Sequence, residues 1–289
     1  MVGAMWKTLV LSLICGLSIL LPLGSRAEAG PIGYSVRAHT GDVLYAIDLG
    51  SGNATIVGRL LFGDAEGLAL VGGTLFAIGG AEESFWDVTL PPGVEIGGTG
   101  PRLGHDAGLA ENASGLLYNL QADLNGTSHL YTIDPSTGAA TFIGSSNTYA
   151  DGLAIDSAGR AFAVDGVNTD ALYSVDLTTG ALTFVGSLGL GNTTFHAGLS
   201  FDEHDTLWMV SDISHTYTID TASGYATQMA RVTTNGYFIN GFMGLAIDTG
   251  AGVETQLTSM PEPASFTLLG IGGALAWMKR RRSMRRNPS

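Results

Sequence analysis

The fold of this chain is decided by Tyr149–Gly186, YADGLAIDSAGRAFAVDGVNTDALYSVDLTTGALTFVG. Four short runs, GLAID, AFAVD, LYSVD and ALTFVG, carry the β-branched, aromatic and small residues that suit a pleated, packed surface. Between them lie turns rich in Gly, Asp, Asn, Ser and Thr, whose side-chain acceptors and tolerance of left-handed backbone reverse a chain. The stretch therefore predicts one four-stranded antiparallel unit.

The same unit recurs outward in both directions. The glycine of the Gly-Leu pair falls at Gly67, Gly108, Gly152, Gly198 and Gly244. A second-strand ring side chain falls at Phe76, Tyr118, Phe162 and Trp208, and a third-strand one at Tyr45, Trp86, Tyr131, Tyr173 and Tyr217. Intervals are mostly 41 to 46 residues, and no repeat contains a sustained 3.6-residue periodicity. That period with four strands is the signature of a propeller blade rather than a helical solenoid.

The array begins at Gly33-Tyr-Ser-Val36, which reads as a second strand without its first. It ends at Gly244-Leu-Ala-Ile-Asp248, a first strand without its second. Pairing the two ends in one blade closes a ring and removes open sheet edges. The expectation is an all-β, five-bladed β-propeller of four-stranded blades over residues 30–250, with the Gly-Leu strand innermost. The small residues after each pair, Ala69, Ala110, Ala154, Ser200 and Ala246, suit crowding near the axis.

Charge divides the chain sharply. Between Gly30 and Met260, 24 acidic residues face five arginines and no lysine, a balance of −19 that excludes phosphate-backbone binding of nucleic acid and lysine Schiff-base chemistry. The single cysteine, Cys15, leaves the segment after it without a disulfide or cysteine metal site.

Residues 1–29 read as a secretory signal, with Lys7, an apolar Thr8–Leu23 helix and an Ala27-Glu-Ala29 cleavage site. A lipoprotein acceptor at Cys15 fits poorly. After a linker at 251–260, residues 261–289 hold Pro261-Glu262-Pro263, the apolar run Ala264–Met278, then Lys279-Arg-Arg-Arg282 and Arg285-Arg286. This order resembles the PEP-CTERM protein-sorting domain of Gram-negative bacteria. The resemblance implies transient inner-membrane anchoring, recognition by an exosortase with cutting near Pro-Glu-Pro, and delivery to the cell surface or medium in bacteria that make exopolysaccharide. As a helix the apolar run spans about 22 Å against a ~30 Å hydrocarbon core, a marginal anchor whose basic flank stays cytoplasmic. An ordinary, unprocessed single-pass anchor is the alternative.

Candidate site residues precede the Gly-Leu pairs, where they would ring one mouth of the channel: Asp64 and Glu66, His105 and Asp106, Tyr149 and Asp151, Phe195 and His196, and Gly241 to Met243. Carboxylates and histidines converging from several blades suit a divalent cation such as calcium, or acid–base chemistry; the structural alternative is strand-end capping at a wet rim. Glu111 and Asn119 are polar where sibling blades carry Leu70, Ile155, Phe201 and Ile247, or Ala77, Ala163 and Met209. Such breaks mark either a functional site or a local bulge.

The Asp-x-x-(Ser/Thr)-Gly motifs at Asp48, Asp134, Asp176 and Asp220 resemble half a calcium loop but read as capped hairpin turns. His39, His129, His204 and His215 read as exposed turn residues. The repeats also look like those of the broad NHL and SMP-30-like propeller families, without a catalytic signature to carry over. The chain therefore reads first as a non-catalytic surface or matrix module contacting polysaccharide or envelope protein. A metal-dependent hydrolase or lactonase at the channel mouth is second, and a lectin with one pocket per blade third.

Overall fold

A computed structural model describes residues 30–38, 41–79, 84–99, 106–191 and 196–249. Among them there is no helix. The first strands are β1 (Ile32–Arg37), β2 (Val43–Asp48) and β3 (Ala54–Arg59). The second blade is β4 (Ala65–Val71), β5 (Thr74–Gly79), β6 (Ser84–Asp87) and β7 (Val94–Gly98). The third is β8 (Asp106–Glu111), β9 (Leu117–Ala122), β10 (Ser128–Ile133) and β11 (Ala140–Ser146). The fourth is β12 (Gly152–Ile155), β13 (Ala161–Asp165), β14 (Ala171–Val175) and β15 (Leu182–Ser187). The fifth is β16 (Ala197–Phe201), β17 (Leu207–Ser211), β18 (His215–Ile219) and β19 (Ala226–Arg231). A small hairpin of β20 (Thr233–Thr234) and β21 (Tyr237–Phe238) follows, then β22 (Phe242–Ile247).

These strands make five antiparallel four-stranded sheets, a five-bladed propeller. The first sheet has the order β22-β1-β2-β3, with Gly33 opposite Ile247 and Tyr34 opposite Ala246. The innermost strands touch in cyclic order, β4, β8, β12, β16, β22 and back to β4.

The core is divided into five wedges, one between each pair of blades. Leu44 and Tyr34 of the first blade meet Leu68 and Leu75 of the second. Phe76 and Phe85 stack at 5.1 Å between centroids in the wedge that also holds Leu109 and Leu117 of the third blade. Leu120 and Leu130 meet Leu153; Phe162 and Leu172 meet Leu199 and Met209; Trp208 and Val210 meet Tyr45 and Leu245. Because both faces of every sheet are covered, strands such as β13 are buried throughout, and simple alternation is lost.

Glycine sets how closely the blades approach at two radii. Near the axis, a Cβ on Gly67, Gly108, Gly152, Gly198 or Gly244 would strike the inner strand of the next blade in ring order. The crowding that the sequence attributes to the small residue after the pair thus falls first on the glycine itself. Gly244 also has φ 63°, so it needs glycine on conformational grounds.

At the rim, each outer strand carries one extra residue opposite the third-strand ring. The register shifts at Tyr45, Trp86, Tyr131, Tyr173 and Tyr217. Just beyond that bulge stand Gly97, Gly144 and Gly186, against which Thr137, Thr179 and Ser223 of the next blade's Asp-x-x-(Ser/Thr)-Gly turn are pressed. The turn's carboxylate is spent inside the turn: Asp134 accepts from Ser136 N–H and Oγ at 2.8 and 2.7 Å, and Asp176 from Thr178 at the same distances. The repeated motif is therefore a capped turn that docks on the preceding blade.

Candidate functional site

The inner strands deliver polar groups to one mouth by three local devices. Glu66 is the extra residue in a bulge of β4, between Ala65 paired with Gly79 and Gly67 paired with Ile78. Asp106 opens β8, while Asp151 and His196 stand immediately before β12 and β16. With Met243 and Gly244 of β22 these four side chains line one cavity of about 10 Å³. Of the sequence candidates, Glu66, Asp106, Asp151 and His196 thus converge. Asp64, at φ 66°, lies close enough to Glu66 to act on its charge but does not line the cavity. His105 and Phe195 lie outside the described residues.

One nitrogen organises the cluster. His196 Nδ1 lies 3.2 Å from Asp106 Oδ1 and 3.5 Å from Asp151 Oδ2. Tyr149 Oη donates to the other oxygen of Asp106 at 2.7 Å. Burial alone would lower the histidine's pKa, but the two carboxylates overcome it and hold His196 up at about 11. Burial raises Asp151 to about 6 against the pull of His196, and neither of its oxygens has a hydrogen-bond partner.

Burial, with Asp106 and Asp64 beside it, raises Glu66 well above the usual carboxylate range, and its buried Oε2 is also unpartnered. The Tyr149 phenol is pushed far up by burial and by Asp151 and Asp106, so it serves as a fixed donor. At neutral pH an imidazolium therefore sits between two carboxylates, with Glu66 the group best placed to keep its proton.

This arrangement limits the chemistry. A protonated His196 has no lone pair with which to act as a base, and a pKa of about 11 makes it a weak acid. The orphaned oxygens of Glu66 and Asp151 would suit a cation, yet His196 already occupies that role. Among the described residues no group of three or more His, Cys, Asp or Glu side chains is arranged to hold a metal ion. Space decides further: about 10 Å³ at the mouth, and about 10 Å³ again between Leu68, Leu109, Leu153, Leu199 and Leu245, admits at most a water.

A roomier cleft of about 720 Å³ opens beside the mouth and shares His196 and Met243 with it. Its other walls come from the end of β1 (Arg37), the β17–β18 turn (Asp212 to Ser214), β19 (Arg231) and the β20–β21 hairpin with Asn240. Arg37 Nε donates to Asn240 O at 2.9 Å, and the Arg231 guanidinium sits 3.6 Å from the Phe238 ring centroid. The entry residues of the Gly-Leu strands reach this cleft only at His196, Gly241 and Met243; Arg37, Arg231 and Phe238 lie outside those entries and escape that reading. The available signal was the scarcity of arginine in so acidic a segment.

The remaining candidates fall elsewhere. Glu111 lies at the far end of the axis, in an apolar ring with Leu70, Ile155, Phe201 and Ile247, and burial raises it to about 7. Asn119 is fully buried in β9; its Nδ2 donates to Gly108 O at 2.9 Å, while its Oδ1 is unpartnered. Its role is to satisfy the inner strand of its own blade. His129 and His215 belong to β10 and β18 and are half-buried, not exposed turn residues, whereas His204 is exposed. The signal segment, the linker, Pro261-Glu262-Pro263 and the apolar tail lie outside the described residues.

No family model matches the chain, and no curated protein matches it. Among solved structures it is similar to regucalcin, a calcium-binding protein from Agrobacterium tumefaciens, at 15% identity over 78% of this chain and 81% of that one, with a TM-score of 0.48. Virginiamycin B lyase from Staphylococcus aureus is similar at 14% identity over 73% and 76%, with a TM-score of 0.43. A Bacteroides thetaiotaomicron protein of unknown function is similar at 15% identity over 78% and 68%, with a TM-score of 0.48. None of these three likenesses, each below a TM-score of 0.5, bears on what this chain binds.

Proposed function

We propose that the protein is an exported envelope or matrix module that binds without catalysing. In this reading it is led out by residues 1–29, held briefly in the inner membrane and sorted by an exosortase acting near Pro261-Glu262-Pro263. Its propeller then faces polysaccharide or envelope protein. The pairing of β1 with β22 would make the ring's closure independent of the tail, so that cutting near residue 261 leaves the blades intact.

One observation carries the non-catalytic part of this reading. The charge at the channel mouth is balanced within the mouth, with His196 acting as the cation between Asp106 and Asp151. His196, Asp106 and Asp151 come from three successive blades, so their pairing works as a lock across those blades. A metal-dependent hydrolase would need His196 to leave both carboxylates and the mouth to widen.

The test uses the protein recovered from its host's cell surface or medium. Co-sedimentation with the extracellular polysaccharide or envelope fraction is expected, with a melting temperature unmoved by calcium, zinc or manganese. A metal-dependent rise of several degrees, together with hydrolysis of a lactone or ester, would replace this reading with the hydrolase.

A further inference from the structure

The cleft beside the mouth is built for something other than the mouth's own charges. At about 720 Å³ it falls in the size range of sites for small organic ligands, whereas the mouth holds no more than a water. Two of the segment's five arginines, Arg37 and Arg231, line it.

Amid 24 carboxylates, neither has an acidic partner among the described residues. Arg37 is braced by a carbonyl and Arg231 by an aromatic face. Arg160, by contrast, pairs with Asp156 at 2.6 Å. Arginine forks left open in a concave site match a carboxylate in a way that a lone ammonium does not.

Beside Arg231, whose guanidinium covers one face of the Phe238 ring, the hairpin adds different chemistry. Phe238 is 60% exposed and Tyr237, beside it in the hairpin, 78%. An exposed ring of this kind offers a flat apolar platform with a negative face. The Asn240 side-chain amide adds a donor and an acceptor suited to hydroxyl groups. A carboxylate, an apolar ring face and several hydroxyls belong together on an acidic sugar.

We propose that this cleft binds a uronate-bearing saccharide, with Arg37 and Arg231 taking the carboxylate, the Phe238 face not covered by Arg231 lying against the sugar ring, and Asn240 meeting its hydroxyls. The inference rests on the reading of the protein as a binding module and names its ligand. It also explains how so acidic a propeller holds an anion. The long-range repulsion of a net charge of −19 is locally offset where Arg37 and Arg231 line one cleft.

Calorimetry on the full-length protein in detergent, with trigalacturonate as the probe, tests the proposal. The same trimer with its carboxyls reduced to alcohols is the control. Trigalacturonate is expected to bind at least ~10-fold more tightly than the reduced trimer, since a charge-assisted pair is lost with the carboxylate. Arg37→Gln and Arg231→Gln should each weaken binding by about 10-fold at an unchanged melting temperature, with Arg231→Lys in between.

Equal affinity for the reduced trimer, or full affinity in both glutamine variants, would overturn the proposal. If trigalacturonate fails to bind while the protein still sediments with its envelope, the uronate site falls and the binding-module reading stands. Failure of both removes the two together.

Discussion

At the scale of single residues, His196 is the most informative side chain. Replacing it by alanine leaves Asp151, 95% buried at its side chain, without the charge that balances it. Breaking such a pair costs about 2–4 kcal/mol, toward the lower side because His196 itself is partly exposed. Urea unfolding of His196→Ala should show that loss at pH 7.5 and part of it regained at pH 5, where Asp151 takes up a proton. Glu111 presents the opposite case, a carboxylate half-buried among Leu70, Ile155, Phe201 and Ile247. Glu111→Leu should stabilise by roughly 1 kcal/mol after allowing for its exposure, raising the melting temperature by about 2–4 °C. A lowered melting temperature would mean that the carboxylate has a partner role.

At the scale of elements, the blade was legible in detail because local chemistry and tertiary packing agree. GLAID, AFAVD, LYSVD and ALTFVG became β12 to β15 nearly residue for residue. The terminal Val-Gly of the last run, repeated at Val57-Gly58 and Ile143-Gly144, proves to be the outer-strand bulge and the seat for the next blade's turn. That seat was not legible, since only the neighbouring blade shows why a side chain is refused there. A methyl group on Gly186 would run into Ser223 O. Gly186→Ala should therefore destabilise by about 1–3 kcal/mol in thermal unfolding, as overpacking does, although alanine suits a strand no worse than glycine. An unchanged stability would show that the blades have slack at this radius.

The candidate site was only half legible for a similar reason. Entry residues of the inner strands identify Glu66, Asp106, Asp151 and His196 as neighbours, because the repeat fixes their place on the ring. Pairing through a single nitrogen, the water-sized cavity and the bulge that presents Glu66 depend on packing that the repeat does not encode. Arg37 and Arg231 close the blade strands β1 and β19, away from the entries of the inner strands, and Phe238 sits in the β20–β21 hairpin, which no sibling blade repeats.

At the scale of the whole molecule, the ionisable groups give stability a definite slope with pH. Asp151, Glu66 and Glu111 have raised values, so the native state binds their protons more tightly than the unfolded chain does. Their contribution makes stability fall as pH rises, from 3.8 to about 6 for Asp151 and from 4.5 to about 7 for Glu111. His196 adds stability in full below 6.5, and this is lost progressively toward pH 11. The turn carboxylates Asp134, Asp176 and Asp220 are lowered by hydrogen bonds within their turns and act the other way, losing their small, exposed contribution as pH falls below 3.8. Stability should therefore peak at mildly acidic pH and decline steadily to pH 9 and beyond, an outcome that melting scans can check.

The central claim is that one imidazolium locks the blades together at the channel mouth. Titration of the His196 ring followed by NMR reads that charge without intermediaries. The account predicts an imidazole that stays protonated through pH 9; a midpoint near 6.5 would contradict it.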